Sequence, residues 1–170
     1  MNRPQPDEYP EYYNLYVNLV RDGDIVDILE QQSKDIQQFI SSLKEESGDH
    51  TYAFGKWTIK EILGHLIDSE RIFAYRALRI ARKDKQNLPG YDSDEYVKSG
   101  NFYRRTLQDL REEMLLLRAA NLKQFTNFDE SDLSQKGVVN DMEFSVIAIL
   151  YIMAGHELHH INFIKDNYLN

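Results

Sequence analysis

The chain has 170 residues, a formal net charge of −8 and a pI near 5.1, so its surface offers no long-range field for phosphate backbones and nucleic acid is not an expected partner. It contains no cysteine, which excludes disulfides, thiolate metal sites and a cysteine nucleophile together and accords with a reducing compartment. Any metal must therefore be held by nitrogen and oxygen.

The N-terminal stretch MNRPQPDEYPEYY lacks the basic-then-apolar order of a secretory signal, and the longest apolar run, Phe144 to Gly155, is too short to span a bilayer. The expectation is one domain over residues 1–170, cytoplasmic and without a membrane partner. Tyr9, Tyr12, Tyr13 and Tyr16 either pack back on that domain or form a subunit contact. A first long helix starts after Asp22 or Asp24, either of which can cap it, with Ile25, Ile28, Leu29, Ile36, Phe39, Ile40 and Leu43 as its apolar stripe. Thr58 and Glu61 form a T-x-x-E capping box at the start of a second helix that runs to about Lys83. Trp57, just before it, serves as a packing staple or lines a pocket.

The next segment carries Pro89 and Gly90 as breakers. In it, Tyr91, Asp92, Asp94 and Tyr96 form either a pocket rim or a plain exposed loop. A third helix spans roughly Phe102 to Gln124, with Leu107, Leu110, Met114 and Leu117 on one face. After a polar stretch with a short extended pair around Val138, Val139 and Met142, a fourth helix begins near Ser145 and continues almost to the end. Four such helices pack most simply as an all-α four-helix bundle with longer connections.

The turn HELHH, residues 156–160, holds three of the five histidines. His156 and His160 lie about 40° apart on the helix, one turn above the other, whereas His159 sits on the flank. The helix is apolar on both sides, so the pair points into the bundle, where each unpartnered polar group costs about 1–3 kcal/mol. Waters and neighbouring side chains can satisfy them; so can a metal. His65 on the second helix shares a face with Glu61, Ser69 and Ile72 and supplies a third inward imidazole. Three neutral imidazoles leave one coordination position open, the arrangement of a catalytic site. Asp68 and Glu157 are the carboxylates at hand as outer acceptors or proton carriers. His156, Glu157 and His160 match H-E-x-x-H literally, but INFIKDNYLN follows with no further histidine or glutamate, and no strand is long enough to align a peptide, so a protease is rejected.

Taken together, KWTIKEILGHLIDSE (56–70), LPGYDSDEYV (88–97) and SVIAILYIMAGHELHHINFI (145–164) resemble the DinB / YfiT-like superfamily over nearly the whole chain. The resemblance implies a four-helix bundle of that type, a divalent metal, zinc or nickel, bound by His65, His156 and His160, a supporting role for His159, and a homodimer. It also implies a small-molecule substrate. The leading expectation is a thiol S-transferase that conjugates a low-molecular-weight thiol to small electrophiles. The alternatives are a metal-dependent hydrolase, with Glu157 or Asp68 taking the proton, and a non-catalytic metal-binding or ligand-sensing bundle.

Overall fold

The computed structural model describes residues 3–169. A short helix α1 (Asn14–Val17) follows a 3-10 turn. The long helices are α2 (Ile25–Ser42), α3 (Ile59–Ala81), α5 (Leu107–Phe125) and α7 (Val146–Asn167), with the shorter α4 (Ser93–Gly100) and α6 (Glu130–Leu133) between them. A hairpin of β1 (Lys136–Val139) and β2 (Met142–Ser145) precedes α7. The four long helices form a four-helix bundle in which α3 packs on α7 and α2 on α5, and the α3–α5 and α2–α7 contacts close the square.

Local chemistry sets each helix start. The side chain of Asp24 accepts from the Val26 amide at 2.9 Å, so Asp24 is the cap of α2. In α3 the capping box is complete: Thr58 Oγ1 accepts from the Glu61 amide at 3.1 Å and Glu61 Oε2 accepts from the Thr58 amide at 2.7 Å. Ser145 caps α7 by accepting from the Ala148 amide at 3.1 Å. Asn140 and Asp141 both take positive φ, 50° and 64°, the backbone of a two-residue turn whose twist suits an antiparallel pair.

Three expectations about extent need correction. The third helix starts at Leu107, because Thr106 caps it through the Asp109 amide at 3.1 Å, while Phe102–Arg104 is a separate 3-10 turn. The second ends at Ala81, and Lys83 beyond it has φ 62°. The segment after Gly90 is not a plain loop, since Asp92 accepts from the Glu95 amide at 3.1 Å and starts α4.

Burial on α7 is nearly continuous from Val146 to Glu157. Tyr151 is fully buried, with its hydroxyl donating to the Gly23 carbonyl at 3.0 Å. Two apolar clusters meet along this helix. One is built around Leu29, Phe125, Leu150 and Tyr151, the other around Leu63, Phe102, Leu110 and Ile164. The histidines lie where the two adjoin. No helix among the described residues is long and apolar enough to cross a membrane.

Candidate metal centre

His65 enters from the second turn of α3, and His156 and His160 enter from successive turns of α7. Each offers one ring nitrogen such that the three lie within 4.8 Å of one another. His65 Nε2 and His156 Nε2 are 3.1 Å apart. Two nitrogens bound at 2.0–2.1 Å to a tetrahedral ion stand about 3.3 Å apart, so this spacing fits a shared divalent cation.

The protonation states agree with that fit. Burial lowers His65 to about 4, against a small opposing pull from Asp94. Burial and then repulsion from His65 and His159 lower His160 to about 3. His156 falls well below its ordinary value, through burial first and then the neighbouring histidines. All three therefore present neutral imidazoles, with lone pairs free for a cation, at neutral pH.

Aromatic side chains wall the centre. Trp57 lies 5.0 Å from the ring of His65, and Phe73 and Tyr16 lie 5.7 and 5.3 Å from that of His156. Trp57 thus packs against a site residue instead of serving only as a staple. A cavity of about 410 Å³ opens beside His160, lined in part by Tyr52, Trp57, Phe163 and Tyr168, with Lys56 and Asp94 as its charged members. His159 is exposed, lines this cavity and meets Tyr16 edge-on at 5.5 Å.

Neither of the two carboxylates singled out from sequence belongs to the group of ligand atoms that the histidines form. Glu157 is turned about 100° from His156 on the helix and is buried in an ionic network. Its Oε2 accepts from Arg118 Nη2 and from Gln32 Nε2, each at 2.6 Å. Arg118 also grips Glu70 with two bonds, 2.8 and 2.9 Å, and donates to the Leu29 carbonyl at 3.1 Å. Burial alone would lower the guanidinium, but the two carboxylates outweigh it and raise it. One cation cannot neutralise two buried anions, and burial raises Glu157 against the pull of Arg118. Asp68 is half-buried on α3, raised by burial, in a field set chiefly by Arg71, Glu113 and Arg105.

Sequence reasoning missed this network, although its signal was present. Gln32 falls in register with Leu29 and Ile36 on α2, and Arg118 with Met114 and Asn121 on α5, so each occupies a core-facing position. Ser69 and Tyr91 also join the surroundings of the centre. The Ser69 hydroxyl is 3.5 Å from His65 Nε2 and 2.8 Å from the Tyr91 hydroxyl.

A mostly helical four-helix bundle thus brings three imidazoles together between two of its long helices. Residues 28–164 match the DinB superfamily, and the chain belongs to it. It is 25% identical over 143 residues, 81% of this chain and 79% of the relative, to a protein of Oceanobacillus iheyensis named as a candidate metal-dependent hydrolase. Its fold is similar to that of YfiT from Bacillus subtilis, described as a probable metal-dependent hydrolase with an unusual four-helix bundle topology. The TM-score is 0.72 at 15% identity, covering 96% of this chain and 89% of that one. The mycothiol-dependent maleylpyruvate isomerase shares the fold with a TM-score of 0.65 at 9% identity, over 85% of this chain and 59% of that one.

Proposed function

We propose that the chain is a metal-dependent enzyme for small molecules, that His65, His156 and His160 hold its divalent ion, zinc or nickel, and that it transfers a low-molecular-weight thiol to an electrophile. The observation that carries this reading is the convergence of three ring nitrogens within 4.8 Å beside an aromatic cavity of about 410 Å³. A bound divalent ion supplies Lewis acidity to whatever protic group takes its open position.

The chain's own residues do the rest. The three imidazoles stay neutral because burial disfavours their charged forms. Trp57, Phe163 and Tyr168 exclude water and give an apolar electrophile a surface to lie on, while Lys56 and Asp94 orient its polar ends. Thiol chemistry is favoured over hydrolysis by the placement of Glu157. Its carboxylate is taken up by Arg118 and Gln32, so it is not free to take a proton from water, whereas a thiol with pKa near 8.5 needs far less help to ionise. Family resemblance further supports a cytoplasmic homodimer.

The second reading is hydrolysis, with Asp94 as the proton acceptor. It is favoured by the names given to the Oceanobacillus and Bacillus relatives and by the position of Asp94 in the cavity wall. The test is to strip the protein of metal, reload it with zinc or nickel, and assay bacillithiol, mycothiol and glutathione with small electrophiles beside panels of esters and amides. Metal-dependent conjugation that disappears in His156→Ala is expected. Metal-dependent ester or amide cleavage without conjugation would replace the first reading by the second, and failure to take up metal would remove both.

A further inference from the structure

Resting on the reading of the three histidines as a reaction centre, we propose that Ser69 and Tyr91 form a hydroxyl pair that receives the molecule entering its open position. Ser69 touches the entering atom, and Tyr91 is the positioning residue that sets the direction of the serine's proton.

Ser69 follows His65 by one turn of α3 and is 1% exposed. Its Oγ stands 3.5 Å from His65 Nε2, the same nitrogen that faces His156 Nε2 at 3.1 Å. The hydroxyl therefore stands from His65 Nε2 at about the separation of one ligand from another, on the side of the ring that carries the facing nitrogen. Tyr91 reaches it from a different part of the chain, with its hydroxyl 2.8 Å from Oγ. The loop carrying Tyr91 is held in place: Arg76 donates to the Pro89 carbonyl at 2.8 Å and lies 5.8 Å over the Tyr91 ring, and Tyr96 packs on that ring at 5.0 Å.

The direction of the protons follows from the donor and acceptor inventory. Once the lone pair of His65 Nε2 is committed to a cation, it can no longer accept from Ser69. Two destinations remain for the serine proton, the phenol oxygen or a lone pair on the entering atom. The phenol is the better donor of the two hydroxyls. An anionic atom at the open position therefore draws the pair into one order, Tyr91 donating to Ser69 Oγ and Ser69 donating to the anion. Both hydroxyls are then satisfied, and the outer bond polarises the inner one. The pair thus selects anionic sulfur or oxygen over a neutral nitrogen ligand, which makes no use of the donated proton.

The experiment uses the full chain loaded with cobalt(II), whose visible spectrum reports the coordination sphere. The probes are β-mercaptoethanol and, as the neutral ligand, imidazole. Ser69→Ala and Tyr91→Phe should take up cobalt as the parent does and bind imidazole equally well. Loss of a hydrogen bond to a charged atom should weaken β-mercaptoethanol binding about 10- to 100-fold in Ser69→Ala, and by less in Tyr91→Phe. Thiol binding as tight as the parent's in both variants overturns the proposal while leaving the metal centre standing. Equal weakening of imidazole and thiol, or lost cobalt uptake in Tyr91→Phe, also overturns it, because either marks a purely structural role. A parent protein that takes up no cobalt, or whose cobalt spectrum ignores thiols, removes the reaction centre itself.

Discussion

Replacing Arg118 by methionine removes the guanidinium at the middle of the bundle and keeps most of its apolar volume. Four donated bonds go: two to Glu70 at 2.8 and 2.9 Å, one to Glu157 at 2.6 Å, and one to the Leu29 carbonyl at 3.1 Å. What remains is a pair of carboxylates, each about 5% exposed, to which, among the described residues, the side chains of Gln32 and Asn121 donate at 2.6 and 3.0 Å. Removing one partner of a buried ionic group costs about 3–5 kcal/mol, a large share of the roughly 5–15 kcal/mol that holds a domain folded. At about 2–4 °C per kcal/mol for a chain of this size, Tm should fall by about 6–20 °C. The deficit is read from urea midpoints. It should shrink in mild acid: the stranded carboxylates acquire folded pKa values above their unfolded ones, so their favourable contribution is present below the unfolded carboxylate pKa and lost as pH rises. Adding Glu70→Gln and Glu157→Gln to Arg118→Met removes the uncompensated charge and should recover most of the loss. A single variant within about 1 kcal/mol of the parent, or a triple variant no more stable than the single, would refute the reasoning.

Two further predictions concern the neighbourhood of the histidines. In the metal-free protein, the folded pKa values of His65 and His160, about 4 and about 3, lie below the ordinary 6.5, and His156 is lowered as well. The unfolded chain therefore binds more protons, so stability is complete above 6.5 and drains away as pH falls towards 4. Urea midpoints across that window should fall steeply in the parent and less in His156→Ala; equal slopes would count against buried neutral imidazoles. Gly155→Ala sets a methyl group 2.0 Å from the Tyr16 carbonyl oxygen, so α1 must move off α7, at about 1–3 kcal/mol. An unchanged melting temperature would mean that α1 does not bear on the helix there.

Most of the architecture is legible wherever one local signal decides the outcome. The Thr58–Glu61 box starts α3 where the T-x-x-E spacing predicts, and Ser145 and Asp24 cap their helices as short polar residues before apolar runs do. Legibility fails where two local signals compete. Phe102 and Leu107 both open apolar periodicity, and the start of α5 is settled by Thr106 accepting from the Asp109 amide and the distant Glu45 carboxylate accepting from the Leu107 amide. Asp92, Asp94 and Tyr96 look like turn residues, yet the Asp92 cap turns them into α4 and carries Asp94 to the cavity. The His65, His156 and His160 set is readable because helical periodicity gives each histidine a face, and packing of α3 on α7 brings the faces together. The hydroxyl pair is not readable this way, because Tyr91 reaches Ser69 from a loop whose path no periodicity describes.

Glu157 illustrates why a motif match and a site can part company. A helix turns about 100° per residue, so an H-E-x-x-H string always offers its glutamate near its histidines, but the neighbouring helices decide where the carboxylate goes. Here α5 presents Arg118 and α2 presents Gln32 on that side, and both hold the carboxylate within the bundle. Glu70 enters the same network one residue after Ser69 on α3. Each of the two helices thus carries its contribution to the centre and its contribution to the charge network on adjacent residues, pointing to different sides. Had Glu157 faced the imidazoles, its charge would have favoured their protonated forms and set protons against the cation for the same lone pairs. Arg118 and Gln32 hold that charge aside, while burial keeps the three imidazoles neutral.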